Sequence, residues 1–105
     1  MKHYILKGRE HEEVDLITWA KWFDVRENRK IAYSSSSEGW AVSTVFLGID
    51  HSFGEGPELL YETMVFDSGT ELDEDPIRYS TYDAAEKGHE EVLKRLRDLL
   101  TPTKE

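Results

Sequence analysis

Apolar positions bunch into short β-branched and aromatic runs in the first two thirds of the chain and recur at helical spacing in two other stretches. The runs "WAVSTVFL" (40–47) and "LLYETMVF" (59–66) are the strongest strand signals. "HYILKG" (3–8) and "KIAYS" (30–34) predict two shorter strands, and "IRYS" (77–80) a short edge strand. Asp15 is placed to cap a helix from Leu16 to about Asp24, in which Leu16, Trp19, Ala20 and Phe23 share a face. Ser80, with Asp83 in the reciprocal position, predicts the start of a last helix running from Thr81 to about Leu100. Tyr82, Ala85, His89, Val92, Leu96 and Leu99 form its apolar stripe. "RENRK" (26–30) reads as a turn and "SSSSEG" (34–39) as a polar hairpin tip.

The order is β-α-β-β-β-α. It predicts an α+β domain of two layers, a mainly antiparallel sheet with two helices packed on it. Residues 1–100 make one domain, and 101–105 after Thr101-Pro102 a frayed tail.

Charge changes this picture more than composition does. Acidic residues number 22 against 13 basic ones, a net charge of −9. Such a balance argues against direct binding to nucleic acid, which relies on Lys and Arg at phosphates, and against anionic membranes. It favours a basic partner protein. The order resembles that of double-stranded-RNA-binding domains, but the last helix opens "STYDAAEKGH" where those domains place a lysine cluster, so the comparison fails on chemistry. No cysteine is present, which removes disulfides, thiolate metal sites and cysteine nucleophiles. The N-terminal "MKHYILKGREHEE" lacks the apolar stretch of a secretory signal.

Between the two strongest strands lies "GIDHSFGEGPE" (48–58), longer than a hairpin needs. Gly48, Gly54, Gly56 and Pro57 are the residues that shape such a loop. A hairpin with Leu47 opposite Leu59 would put Glu62 and Thr44 among Trp40, Val42, Phe46, Leu60, Met64 and Phe66 on one face. A carboxylate there must be hydrogen-bonded or paired. A slip of one residue would move the whole set to the other face.

Asp50, His51, Glu62 and His89 then form a set able to hold zinc or a similar divalent ion, although their spacing matches no established motif. Simpler roles compete with this one. Asp50 is suited to binding main-chain N–H groups of its own loop, and His89 to being a satisfied core residue. Trp22, off the main helical stripe, is either an aromatic anchor for a partner or a cover for the core edge. A second acidic feature is "DSGTELDEDP" (67–76), whose carboxylates include Glu71, Asp73, Glu74 and Asp75.

"WAKWF", "VSTVFLGIDHSFGEGPELLYETMVF" and "RYSTYDAAEKGHEEV" together resemble a family of small uncharacterised proteins encoded in bacteriophages and prophages. The resemblance covers about Leu16 to Val92. It implies a phage origin and a cytosolic location in an infected bacterium, and no reaction. The chain departs from that family at Glu58, where Gly-Pro-Pro is usual, and in its longer, more acidic 68–75 segment.

Three functions follow as expectations. The first is an accessory protein that binds and modulates a basic host protein, such as a defence or nucleic-acid-handling protein. Its contacts would be the acidic segment 67–75 and the approach from Glu10 to Asp15. The second is a small-ligand or divalent-metal site on the 48–58 loop, hydrolytic or sequestering. A hydrolytic site needs a concave, water-excluding pocket, which a chain this short forms only with difficulty unless it dimerises. The third is a structural role, with the loop as a homodimer contact.

Overall fold

The computed structural model describes residues 1–50, 56–67, 70–71 and 76–100. The chain opens with a hairpin of β1 (His3–Lys7) and β2 (Glu10–Val14), turned by Gly8-Arg9 with Gly8 at φ 66°. A left-handed first turn residue is what a two-residue hairpin loop calls for, and glycine adopts it without cost. α1 (Leu16–Asp24) and a single turn, α2 (Arg26–Arg29), follow. Then come β3 (Lys30–Ser35), β4 (Trp40–Phe46), β5 (Tyr61–Asp67), β6 (Thr70–Glu71), β7 (Ile77–Tyr79) and α3 (Tyr82–Leu100).

The second sheet runs β3-β4-β5, and β6 and β7 share the far edge of β5, all antiparallel. The α+β class and the antiparallel sheet are as the sequence predicts. Three elements differ. β2 was not expected, 26–29 is a helical turn, and Thr70–Glu71 pairs with β5 as β6 inside the segment expected to be an acidic loop. Asp15 caps α1 as predicted, its carboxylate accepting the Thr18 N–H at 2.7 Å. The cap of α3 is Thr81 rather than Ser80: its hydroxyl accepts the Ala84 N–H at 3.1 Å. The helix therefore starts one residue later, and Asp83 has no capping-box role. The tail 101–105 lies outside the described residues.

The register of the central hairpin corrects the simple expectation. Phe46 pairs with Tyr61, Val45 with Glu62, Thr44 with Thr63 and Val42 with Val65. β5 is displaced by one residue from the register with Leu47 opposite Leu59. The cause is visible at the loop end. The Leu47 N–H goes to the Leu60 carbonyl at 2.7 Å, and the Leu59 N–H is taken by the Asp50 carboxylate at 2.9 Å. Leu59 is thus withdrawn from the ladder, and every β5 side chain changes face.

α3 and the N-terminal hairpin cover one face of the sheet. Its core has two apolar clusters. Tyr4, Phe46, Leu60, Tyr61 and Ala85 form one, with Trp22, Tyr79 and Tyr82 against it. Val42, Val92 and Leu93 form the other, with Trp40, Val65 and Leu96. Tyr79 reaches α3 because residue 88 is glycine: a Cβ there would run into the tyrosine ring. A glycine inside a helix is unfavourable by roughly 1 kcal/mol against alanine, and this contact is what offsets it. Similarly Gly48, at φ 74°, lets its backbone meet β1, where the Tyr4 N–H donates to the Gly48 carbonyl at 2.8 Å. α1 packs through Trp19, Trp22 and Phe23, while Leu16 is 55% exposed, so its packed face is rotated from the expected stripe.

Candidate functional site

Between the two apolar clusters lies a buried polar layer. Thr44 of β4, Thr63 of β5 and His89 of α3 occupy the positions between Phe46 and Val42, Tyr61 and Val65, and Ala85 and Val92. The Thr44 hydroxyl is 2.6 Å from that of Thr63 and 2.7 Å from His89 Nδ1. His89 Nε2 is 3.0 Å from the Ser34 hydroxyl of β3. The result is one chain, Ser34–His89–Thr44–Thr63, tying β3, β4 and β5 to the helix. Hydroxyls both donate and accept, so the neutral ring is satisfied in either tautomer. His89 is only 2% exposed, and its burial lowers its pKa from the ordinary histidine value, with Glu90 opposing weakly.

A serine hydroxyl within hydrogen-bond reach of an imidazole is the geometry of an activated nucleophile. Two features argue against that use here. The second ring nitrogen faces a hydroxyl where a carboxylate would stabilise the charged ring. The histidine is also closed off from substrate. The layer fits a structural role: a fully bonded buried network that holds strand order and helix position.

The three ligand candidates among the described residues, Asp50, Glu62 and His89, do not come together. Asp50 sits at the loop end on the Leu59 N–H, the turn chemistry considered for it. Glu62 lies on the opposite face of the sheet from His89. Its partner is Arg78 of β7 at 3.2 Å, directly across the β5–β7 ladder. The expectation that Glu62 sits among six apolar side chains, in reach of Thr44 or His89, is overturned by the one-residue register change. His51 and Gly54 lie outside the described residues. Among the described residues no three of His, Asp and Glu cluster as a metal-binding group.

The remaining candidates are placed as follows. Gly48 and Gly56 both adopt positive φ, 74° and 90°, and Pro57 follows in an exposed bend. At the foot of the loop, Glu58 lies 3.4 Å from the Tyr4 hydroxyl, whose pKa is raised by burial and then by that carboxylate. Trp22 is edge-on to Phe46 at 5.5 Å and packs on the core, so it covers the core edge and is not a free anchor. Glu71 belongs to β6, and Asp73, Glu74 and Asp75 lie outside the described residues.

A surface that sequence reading noticed only as charge takes shape on β2. Glu10, Glu12 and Glu13 are exposed along it, with Asp15 at its end, and only Val14 is partly buried. Among the described residues no strand pairs with its outer edge. Glu12 holds Lys7 of β1 at 2.8 Å. Immediately beyond, Leu16 and Ile17 of α1 are 55% and 63% exposed. Carboxylates and bare aliphatic side chains therefore adjoin. Arg9, at the hairpin turn, is engaged elsewhere, bridging Asp83 and Glu86 and lying over the Tyr82 ring at 4.3 Å. Among the described residues no helix is long and apolar enough to cross a membrane.

Comparison of the chain with protein-family models, with characterised proteins and with solved structures finds no match.

Proposed function

We propose that this is a protein-binding module that docks on a basic partner through the β2 edge and the start of α1. In keeping with the phage resemblance, it is a phage-encoded accessory protein whose partner is a host protein with a basic groove. The observation that supports this most is the β2 surface: three exposed carboxylates on an unpaired strand edge beside exposed Leu16 and Ile17. Carboxylates at a rim steer a basic partner and set salt dependence, and the adjoining aliphatic side chains give it apolar area to cover. The net charge of −9 adds long-range attraction of the same sign. The acidic segment 67–75 extends this chemistry in the sequence.

The test is binding to host proteins from a bacterial lysate at two salt concentrations. Wild type is compared with Glu10→Gln/Glu12→Gln/Glu13→Gln and with Leu16→Ser/Ile17→Ser. Retention of one basic protein by wild type, weakened by salt and by both variants, is the expected result. Equal retention by all three proteins refutes the surface.

A further inference from the structure

The face of the second sheet away from α3 carries a hollow near the β3–β4 hairpin. Val42 and Thr44 of β4 are buried on the α3 side, so Ala41 and Ser43 stand on the opposite face. The ladder sets Tyr33 and Ser35 of β3 beside Ser43 and Ala41, and Met64 and Phe66 of β5 beside the same two residues from the other side. Two small residues in the middle strand thus lie between larger ones on both flanking strands. The difference in side-chain size leaves an open hollow of about 470 Å³. Tyr33 and Phe66 line it across Ala41 and Ser43, with Gly39 and Trp40 toward the hairpin tip. Small-molecule sites occupy roughly 300–1,000 Å³ and are lined mainly by aromatic and apolar groups with a few polar ones. Tyr33 is 57% exposed, a large aromatic ring held at the surface.

Charge and ring chemistry together select an occupant. None of the residues lining the hollow is basic or acidic. Carboxylates stand around it in the chain: Glu38 precedes Gly39 and Asp67 follows Phe66, both exposed. The ladder also places Glu71 across from Phe66. The net charge of −9 gives the surroundings the same sign. An anion would be repelled here and would find no basic group in the lining. A cation is favoured by this field and by the negative faces of aromatic rings. A lysine ammonium is strongly hydrated and needs hydrogen-bond acceptors to replace its water. A quaternary ammonium has no N–H to satisfy and presents methyl groups to the rings.

We propose that this hollow binds an organic quaternary ammonium cation, with its trimethylammonium head between Tyr33 and Phe66. The hydroxyls of Ser35 and Ser43 are left for the polar remainder of the ligand. The head group comes on a free solute such as choline or on a trimethylated lysine of a protein. This site lies on a different sheet from the β2 surface, and either can fail without the other.

NMR titration of the full chain tests it. Choline is added to about 100 mM at constant ionic strength, so that screening does not change. A parallel series uses its uncharged carbon isostere, in which a tert-butyl group replaces the head. A third uses N-acetyl-trimethyl-lysine amide. The expected result is shifts in the Tyr33 and Phe66 ring signals and contacts from the N-methyl protons to both rings. Choline binds roughly five- to thirtyfold more tightly than the isostere. Tyr33→Phe keeps the binding and Tyr33→Leu weakens it roughly three- to tenfold. Tyr33 is exposed, so the fold survives both changes. Tighter binding of choline assigns the site to a free solute, and tighter binding of the lysine derivative assigns it to a protein side chain. Equal affinity for choline and its isostere overturns the proposal. So does unchanged binding by Tyr33→Leu, or the absence of shifts at Tyr33 and Phe66 with both cations.

Discussion

His89 gives the sharpest prediction because its surroundings are wholly specified. Both ring nitrogens are bonded to hydroxyls, and no carboxylate contacts the ring among the described residues. If the ring is protonated, Ser34 and Thr44 can turn to accept from it, so the hydrogen bonds persist. The buried charge remains without a counter-ion, and that desolvation holds its folded pKa below the 6.5 of a free histidine. The sign follows from proton counting. Below pH 6.5 the unfolded chain binds a proton at this site that the folded chain does not. Stability is therefore full above that pH and falls as the pH drops toward the depressed folded value, by at most about 1.4 kcal/mol per pH unit. His89→Gln keeps polar atoms but cannot titrate, and its profile lacks this component. His89→Ala also opens a cavity and strands part of the network, a loss of about 3–5 kcal/mol at pH 7.5. Urea denaturation of the three proteins between pH 5 and 7.5 measures both effects. Parallel pH profiles for wild type and His89→Gln would refute the reasoning.

Three further substitutions test the packing. Gly88→Ala gains about 1 kcal/mol of helix propensity but drives a methyl into Tyr79, for a net loss of about 1–2 kcal/mol; in a Tyr79→Ala background the same change becomes stabilising. Gly48→Ala places a side chain against the Tyr4 carbonyl at φ 74° and lowers stability by about 1–3 kcal/mol, measured by denaturant midpoint. The Tyr61 hydroxyl is buried without a hydrogen-bond partner among the described residues, and burial pushes its pKa up to about 12. Tyr61→Phe therefore leaves stability unchanged or raises it by about 1 kcal/mol in thermal unfolding.

Much of the fold was legible in the sequence. Periodicity located α1, α3 and, apart from the two-residue β6, the strands of the second sheet to within a residue or two, because β-branched and aromatic runs alternate with strong turn residues. β2 was hidden because "EHEEV" has neither alternation nor β-propensity. It is a strand because β1 and the Gly8 turn supply a template, a tertiary reason that local pattern does not carry. The register was hidden because it turns on one side-chain bond, Asp50 to the Leu59 N–H, across the loop. With that bond known, Glu62 moves to the face of Arg78, and the four-residue ligand set loses its geometry. His89 stood out as a polar residue on an apolar stripe, but Ser34 read as part of a serine-rich tip. Thr44 and Thr63 are ordinary strand residues until the correct register sets them side by side.

The central claim, that an acidic edge captures a basic protein, is tested most directly by affinity capture from lysate with the β2 carboxylates present and absent. The account predicts one basic host protein retained in stoichiometric amount by wild type. It predicts loss of that protein from Glu10→Gln/Glu12→Gln/Glu13→Gln and release as salt is raised. The same protein bound equally by the variant, or no protein retained at low salt, would contradict it.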